Sequence, residues 1–343
     1  MAEWNQLRAG LDPPTPTLRE ALQNLYIDKR LLPGMGEFSH ILLIHGLFHR
    51  TWEVEVMVTQ SISHFEPSAQ KQASDDLQPK LPIWPPGVPF FSRWRNAACD
   101  CLDLLHWSAN ATIGAASGIE HPTVLHLHLA RIVLLTPLND IVLYSHYLIR
   151  SSGEATRLFP SVSSTEAEEH RQLIQRWAIQ DQYKARLAAI HAGVVFWHVR
   201  LYSINGFYES TAVALAALVF WALSAFSPKK PKLRKVGDEE GTSPPSLDIC
   251  DIILIDRPTD DELVQQFVRQ GHAMRANMTG VGDLFGPKGA RKVLAEGQKL
   301  LLTLSSWRGI TDYWLRVLNR LEKVTAAAGL GSQPAEVAIA AVE

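Results

Sequence analysis

Apolar and polar positions along the chain repeat mostly at helical spacing. Thr165-x-x-Glu168 has the form of a capping box and opens a predicted helical stretch that runs to about Ser203. Within it Leu187, Ile190, His191, Val194, His198 and Leu201 fall on one face at 3.6-residue periodicity. Thr259-x-x-Glu262 is a second capping box, and Pro258 disfavours helix just before it. The helix predicted to follow covers residues 261–277, with Leu263, Phe267 and Met274 near one side. A last amphipathic helix is predicted from Leu300 to Leu321. Alternating β patterns are scarce, and there is neither an internal repeat nor a heptad run. The chain reads as all-α: one large multi-helix domain with Pro-rich loop insertions.

Proline and small polar residues set the punctuation. Residues 65–90 hold six prolines and form neither a helix nor a central strand. Residues 151–165 make a second break. Residues 228–248, basic, then acidic, then proline-rich, make a third. The organisation that follows is a polar segment at 1–19, a domain at 20–323 carrying these three loops, and an Ala/Gly-rich tail at 324–343 expected to pack poorly. Residues 210–227 are an uncharged run followed by five basic residues. A membrane anchor needs about 20 apolar residues, and this run is borderline and rich in Ala, Ser and Thr. A helix buried on all sides of an α-domain has the same pattern and is the expectation here.

Composition narrows the function classes. Across 343 residues, 46% are hydrophobic, and 33 basic residues stand against 35 acidic ones. This fits a globular chain and argues against a broad basic surface for nucleic acid. The N-terminal residues lack the apolar stretch of an export signal. Three cysteines, Cys99, Cys101 and Cys250, are too few for a disulfide framework or an all-cysteine zinc site, and a reduced intracellular setting follows.

Thirteen histidines invite a metal site. His126 and His128 diverge by about 200° on a helix, and His191 and His198 lie about 10 Å apart along one, too far for a shared ion. Cys99-x-Cys101 with His106 is too sparse for a finger. Buried core histidines and thiols are the expectation, with no cofactor in this chain. Residues 38–52, FSHILLIHGLFHRTW, resemble the strand-to-His-Gly turn of α/β-hydrolases, but no G-x-S-x-G elbow accompanies them, so a buried helix with histidines near its edges is expected instead. Gly280 to Gly286 holds three glycines at a spacing unlike a dinucleotide fingerprint and is predicted to be a turn between helices. No catalytic constellation is found.

The basic cluster Lys229, Lys230, Lys232, Arg234 and Lys235 is interrupted by Pro231, which keeps it extended. It reads either as a patch that a nuclear-import receptor recognises or as a solvated charge run. The acidic Asp238-Glu239-Glu240 that follows argues against nucleic acid.

Four segments together resemble the fungal-specific transcription factor regulatory domain, also called the middle homology region. They are WRNAACDCLDLLHW (94–107), EHPTVLHLHLARIVLLTP (120–137), WAIQDQYKARLAAIHAGVVFWHVR (177–200) and the stretch 252–286 that begins IILIDRPTDDELVQQF. The similarity spans roughly residues 20–320 and is closest to the branch carried by two-cysteine two-histidine zinc-finger regulators. The resemblance implies a nuclear, non-enzymatic regulator of RNA polymerase II transcription. It would act through proteins of the transcription machinery or other parts of a longer regulator, with no membrane partner. Family members bind zinc and DNA through a separate finger region, and this chain has no paired C-x-x-C and H-x-x-x-H ligands. A fragment, a separately encoded regulatory domain and a degenerate relative all fit that departure. The rival class is an intracellular or membrane-associated protein of other chemistry, which rests on the histidine count and the run at 210–227.

The basic cluster yields a direct test. Replacing Lys229, Lys230, Lys232, Arg234 and Lys235 together with alanine is expected to leave the melting temperature unchanged and to reduce nuclear accumulation of a fluorescently tagged chain. Unaltered localisation would assign the cluster to plain solvation.

Overall fold

The computed structural model describes residues 16–59, 89–115, 121–153, 160–227, 251–257 and 261–330. Among them are eleven helices and one small sheet, so the fold is all-α as the periodicity predicts. The helices are α1 (Leu18–Ile27), α2 (Glu37–Thr59), α3 (Pro89–Ala115), α4 (Pro122–Leu135), α5 (Leu138–Ser151), α6 (Ser164–Gln180), α7 (Gln182–Tyr202), α8 (Glu209–Phe226), α9 (Asp261–Gln270), α10 (Gly289–Thr303) and α11 (Arg308–Ala327). The strands are β1 (Ile252–Leu254), β2 (Arg275–Met278) and β3 (Gly282–Asp283).

Helix α4 organises the packing. His121 caps its N-terminus and Pro122 occupies its first turn, where the missing N–H costs nothing. Its apolar residues then divide between two cores. Leu125, Leu129, Ile132 and Leu135 join the larger core of α4 to α11, while Val124, Leu127, Ala130, Val133 and Leu134 join a smaller core with α1, α2 and α3. At its C-terminus the Trp177 indole donates to the Leu135 carbonyl at 2.9 Å, and the Thr136 hydroxyl to that of Ile132 at 2.8 Å. Thr136-Pro137 then breaks the helix, and α5 leaves at 80° to α4.

The apolar run at 210–227 lies within α8, with 78% of its span buried inside the protein. Phe220 and Trp221 are wholly covered. Its polar atoms are met by protein: Trp221 Nε1 donates to Thr325 Oγ1 at 3.0 Å, Ser224 Oγ to the Leu284 carbonyl at 2.6 Å, and Ser210 and Thr311 share a 2.7 Å hydrogen bond. An all-round apolar helix is hidden here by α7, α10 and α11.

Several predicted boundaries shift, each for a local reason. The capping box ahead of α6 is Ser163 with Glu166, not Thr165 with Glu168: Glu166 N–H meets Ser163 Oγ at 3.2 Å and Ser163 N–H meets Glu166 Oε2 at 2.8 Å. Glu168 instead takes Arg171 at 2.7 Å. The long helix to Ser203 is two helices, interrupted at Asp181, whose carboxylate pairs with Lys184. The face predicted on α7 is not its main core face, since Leu201 is exposed; Ala185, Ala188, Ala192, Val195 and Phe196 are buried instead. The helix predicted over 261–277 stops at Gln270, just ahead of Gly271, and Arg186 caps its end by donating to the Val268 and Arg269 carbonyls at 3.3 and 3.4 Å. The helix predicted over 300–321 is likewise split, with Trp307 in a left-handed conformation (φ 57°) between α10 and α11. The poorly packed tail begins later than Val324, because α11 continues to Ala327 and buries Thr325. Thr259 and the prolines at 65–86 lie outside the described residues.

The sheet is the element that the periodicity misses. β1 pairs in parallel with β2, and β2 antiparallel with β3. Gly280 to Gly286 therefore sits in and after a hairpin rather than between helices, with Gly280 and Gly282 at φ 78° and 79°. The sheet docks on α7 by backbone contact: a Cβ on Gly193 would lie 2.1 Å from the Ile255 carbonyl oxygen. Gly193→Ala is therefore expected to cost about 1–3 kcal/mol in urea unfolding. Gly36→Ala, with open space around it, is expected to move stability by no more than about 0.5 kcal/mol. Equal effects would show that the close approach carries no weight.

Candidate functional site

Titratable side chains gather where α4 meets α2, α3 and α7. His126 and His128, two apart on α4, point to different neighbours, as helix geometry requires. His126 Nδ1 lies 3.1 Å from His45 Nε2 on α2, and its ring packs 4.2 Å from that of Tyr208. His128 Nδ1 lies 2.9 Å from His191 Nδ1 on α7 and its ring meets His106 of α3 edge-on at 5.5 Å. His198, two turns further along α7, is buried with Nδ1 lacking a hydrogen-bond partner, as is Nε2 of His191.

These rings are held neutral. Burial pushes His126 and His198 down to about 4, helped at His126 by the proximity of His45 and at His198 by that of His121. Burial first, and neighbouring histidines and Arg131 second, lower His128 and His191 well below the ordinary value. A neutral imidazole both donates and accepts, so each close pair needs one proton between its facing nitrogens; two imidazolium rings could only repel. His121 plays a separate part. Its Nδ1 accepts from Thr123 N–H at 3.2 Å, capping α4, which leaves Nε2 to face the Glu37 carboxylate.

The seam is a set of pairs rather than a cage. Among the described residues no three His, Cys, Asp or Glu side chains are grouped so as to hold a metal ion. Cys99, Cys101 and His106 do not converge on one point: the Cys101 thiol donates to the Leu25 carbonyl at 3.3 Å and receives Lys29 Nζ at 3.4 Å. Burial raises both Cys99 and Cys101 above the ordinary thiol value, which disfavours the reactive thiolate. Cys250 and the basic cluster Lys229, Lys230, Lys232, Arg234 and Lys235 lie outside the described residues.

A second polar assembly fixes the sheet to the helices. The Asp256 carboxylate, fully buried, pairs with Arg200 of α7 and accepts the Thr279 N–H at 3.0 and 3.1 Å. Arg200 also reaches Glu296 of α10 at 3.0 Å and the Thr279 carbonyl at 3.3 Å. Every partner of this buried charge comes from a different turn of the chain, so no local sequence signal announces it. It ties the sheet to α7 and α10.

Compared with known proteins, the chain matches no family model, no curated protein and no solved structure.

The neutral histidines make stability depend on acid. The unfolded chain takes up protons on these rings below about pH 6.5, while the folded protein resists until near pH 4. Their contribution is therefore complete above about pH 6.5 and is lost as the pH falls toward 4. Each ring shifted to about 4 is expected to withdraw about 2 kcal/mol by pH 5. Urea midpoints measured at pH 7.5, 6 and 5 should fall in that order. A midpoint that stays constant to pH 4.5 would mean that the rings protonate without opening the seam.

Proposed function

We propose that the chain is the regulatory domain of a nuclear transcription factor of the fungal type, controlling RNA polymerase II transcription through protein contacts and catalysing no reaction. The observation that carries this reading is the convergence of the four resembling segments. Segment 94–107 lies in α3, 120–137 contains α4, 177–200 spans the end of α6 and most of α7, and 252–286 supplies the sheet and α9. α3 and α7 both pack on α4, and the sheet seats on α7 at Gly193 and through Asp256 with Arg200. Stretches far apart in sequence thus belong to one contiguous scaffold.

The contact surface we assign lies where two turns meet. Asn205 Oδ1 accepts the Ser305 N–H at 3.2 Å, and the Phe207 and Trp307 rings pack edge to face at 5.8 Å. Phe207, Trp307, Ile204 and Leu302 are nonetheless exposed. Grouped aromatic and aliphatic side chains on a surface are the kind that anchor a protein partner.

The test fuses the full chain to an unrelated DNA-binding domain upstream of a reporter in a fungal host. Reporter output is expected to depart from that of the DNA-binding domain alone. Phe207→Ser combined with Trp307→Ser should cancel the departure while the circular dichroism spectrum and melting temperature hold. Output equal to the bare DNA-binding domain, with the fusion folded and nuclear, would overturn the regulatory reading. A shift that survives the double substitution would move the contact away from this surface.

A further inference from the structure

The exposed face that carries Phe207 and Trp307 has a sign as well as an apolar character. Ile204, Phe207, Leu302 and Trp307 each keep more than half of their surface in solvent, and Ile310, three residues beyond Trp307 on α11, is exposed too. Together they leave on the order of 500 Å² open, near the upper end of what a monomer shows. The turn from α7 to α8 and the turn from α10 to α11 form this face, tied by the Asn205–Ser305 hydrogen bond and the Phe207–Trp307 ring contact. Asn205 and Trp307 both adopt left-handed backbone, at φ 55° and 57°. Asn accepts that region readily; for a bulky residue it is costly, and such outliers gather at contact sites.

The charges around the two turns are mainly positive. Within residues 199–211 and 296–316 the exposed charged side chains are Lys299, Arg308 and Arg316 against Asp312. Glu209 is buried against N–H groups of its own turn, and Glu296 faces Arg200 at 3.0 Å. Lys299, one turn before Leu302, comes no nearer to Glu296 than 3.4 Å and stays largely in solvent. Arg308 follows Trp307 directly, and Arg316 Nε donates to the Asp312 carbonyl at 3.1 Å, beside the one exposed acid. α11 adds to the same sign. Its N-cap, Trp307, makes no side-chain cap bond, and its first turn holds no acidic residue, so the positive end of the helix dipole has no carboxylate of its own.

We infer that this face receives an acidic amphipathic peptide segment of a protein partner, its apolar side chains seated on Phe207 and Trp307 and its carboxylates beside Lys299, Arg308 and the start of α11. That the face serves a protein partner rests on the proposed regulatory reading; the acidic character of the partner rests on the charges around the two turns. A short helix with apolar anchors at i, i+3 or i+4, and i+7 sets its acids on the flanks of one such seam. A second copy of this chain would set cation against cation. Anionic lipid combines the same two chemistries, but bilayer recruitment takes clusters of about 4–8 basic residues, more than this face offers.

The test uses the full chain and three synthetic peptides of about 15 residues, roughly four helical turns each. The first places Leu and Phe at helical spacing with Asp and Glu between them. The second replaces every acid by Lys, and the third keeps the acids and replaces Leu and Phe by Ser. Isothermal titration calorimetry at about 50 mM salt, where surface charges are weakly screened, should show saturable binding of the first peptide and none of the other two. Its Kd should fall at about 5–200 μM, in keeping with a small transient contact. Lys299→Glu combined with Arg308→Glu should weaken the acidic peptide by at least about tenfold and admit the Lys peptide. Phe207→Ser combined with Trp307→Ser should abolish binding, and both variants should keep the melting temperature of the parent. If the apolar variant melts early, the charge reversal decides alone.

No saturable binding of the acidic peptide, equal binding of the acidic and Lys peptides, or an affinity that the charge reversal leaves unchanged overturns the inference. Co-sedimentation with phosphatidylserine vesicles in place of peptide binding would assign the face to a membrane. Self-association that Phe207→Ser and Trp307→Ser remove, without peptide binding, would assign it to a second copy. The calorimetry does not involve transcription. A silent reporter with the peptide bound removes the regulatory reading and leaves the peptide site; an active reporter without peptide binding does the reverse.

Discussion

The fold depends on a single helix being buried from two directions. α4 gives Leu125, Leu129, Ile132 and Leu135 to one core and Val124, Leu127, Ala130, Val133 and Leu134 to the other. Arg131 is its one charged residue, and it pairs with Asp103 of α3. Burying so much apolar surface on one short segment is a large hydrophobic gain, but it commits the protein to finding partners for whatever polar groups the helix carries. That obligation explains the histidines. His126 and His128 sit where a Leu would pack, and each is matched by another imidazole instead of a carboxylate, so the neutral forms satisfy one another without importing a charge into the core.

The same rule operates throughout the interior. Trp177, Trp221 and Trp314 each contribute a large apolar body and place the indole N–H on a carbonyl or hydroxyl oxygen. Glu209, buried at the start of α8, receives the Ile204 and Gly206 N–H groups at 3.0 and 3.1 Å and so fixes the turn that leads from α7 to α8. Asp256 does the same for the sheet. The rule fails, among other places, at the Thr51 hydroxyl, at one Arg95 guanidinium nitrogen and at single nitrogens of His191 and His198, the last two within the histidine seam. Buried polar groups are mostly satisfied in folded proteins, which makes such exceptions informative.

Small residues set the distances between helices. The Ala-rich sides of α7 and α8 let their axes approach, and Gly193 brings α7 against the backbone of Ile255. A close helix pair with a strand on its back needs few large side chains. It explains why the face of α7 that carries the long aliphatic residues, ending in Leu201, is not the one most deeply buried.

The sequence by itself determined the helical class and the burial of the run at 210–227, because 3.6-residue periodicity and unbroken apolar runs are local properties. The cap at His121 ahead of Pro122 is a local signal of that kind. The cap at Ser163 was missed by two residues, since Thr165 with Glu168 offers the same local chemistry and only the path of the chain chooses between them. Three outcomes were beyond local reading. Ile252–Ile255 is an apolar run too short to distinguish strand from helix, and it became a strand because β2 was there to pair with it. α9 ended at Gln270, where Arg186, far away in sequence, caps two of its last carbonyls. The histidine pairs and the Asp256–Arg200 contact each join residues separated by tens of positions. Such contacts exist only after the helices have docked, so tertiary structure alone decided them.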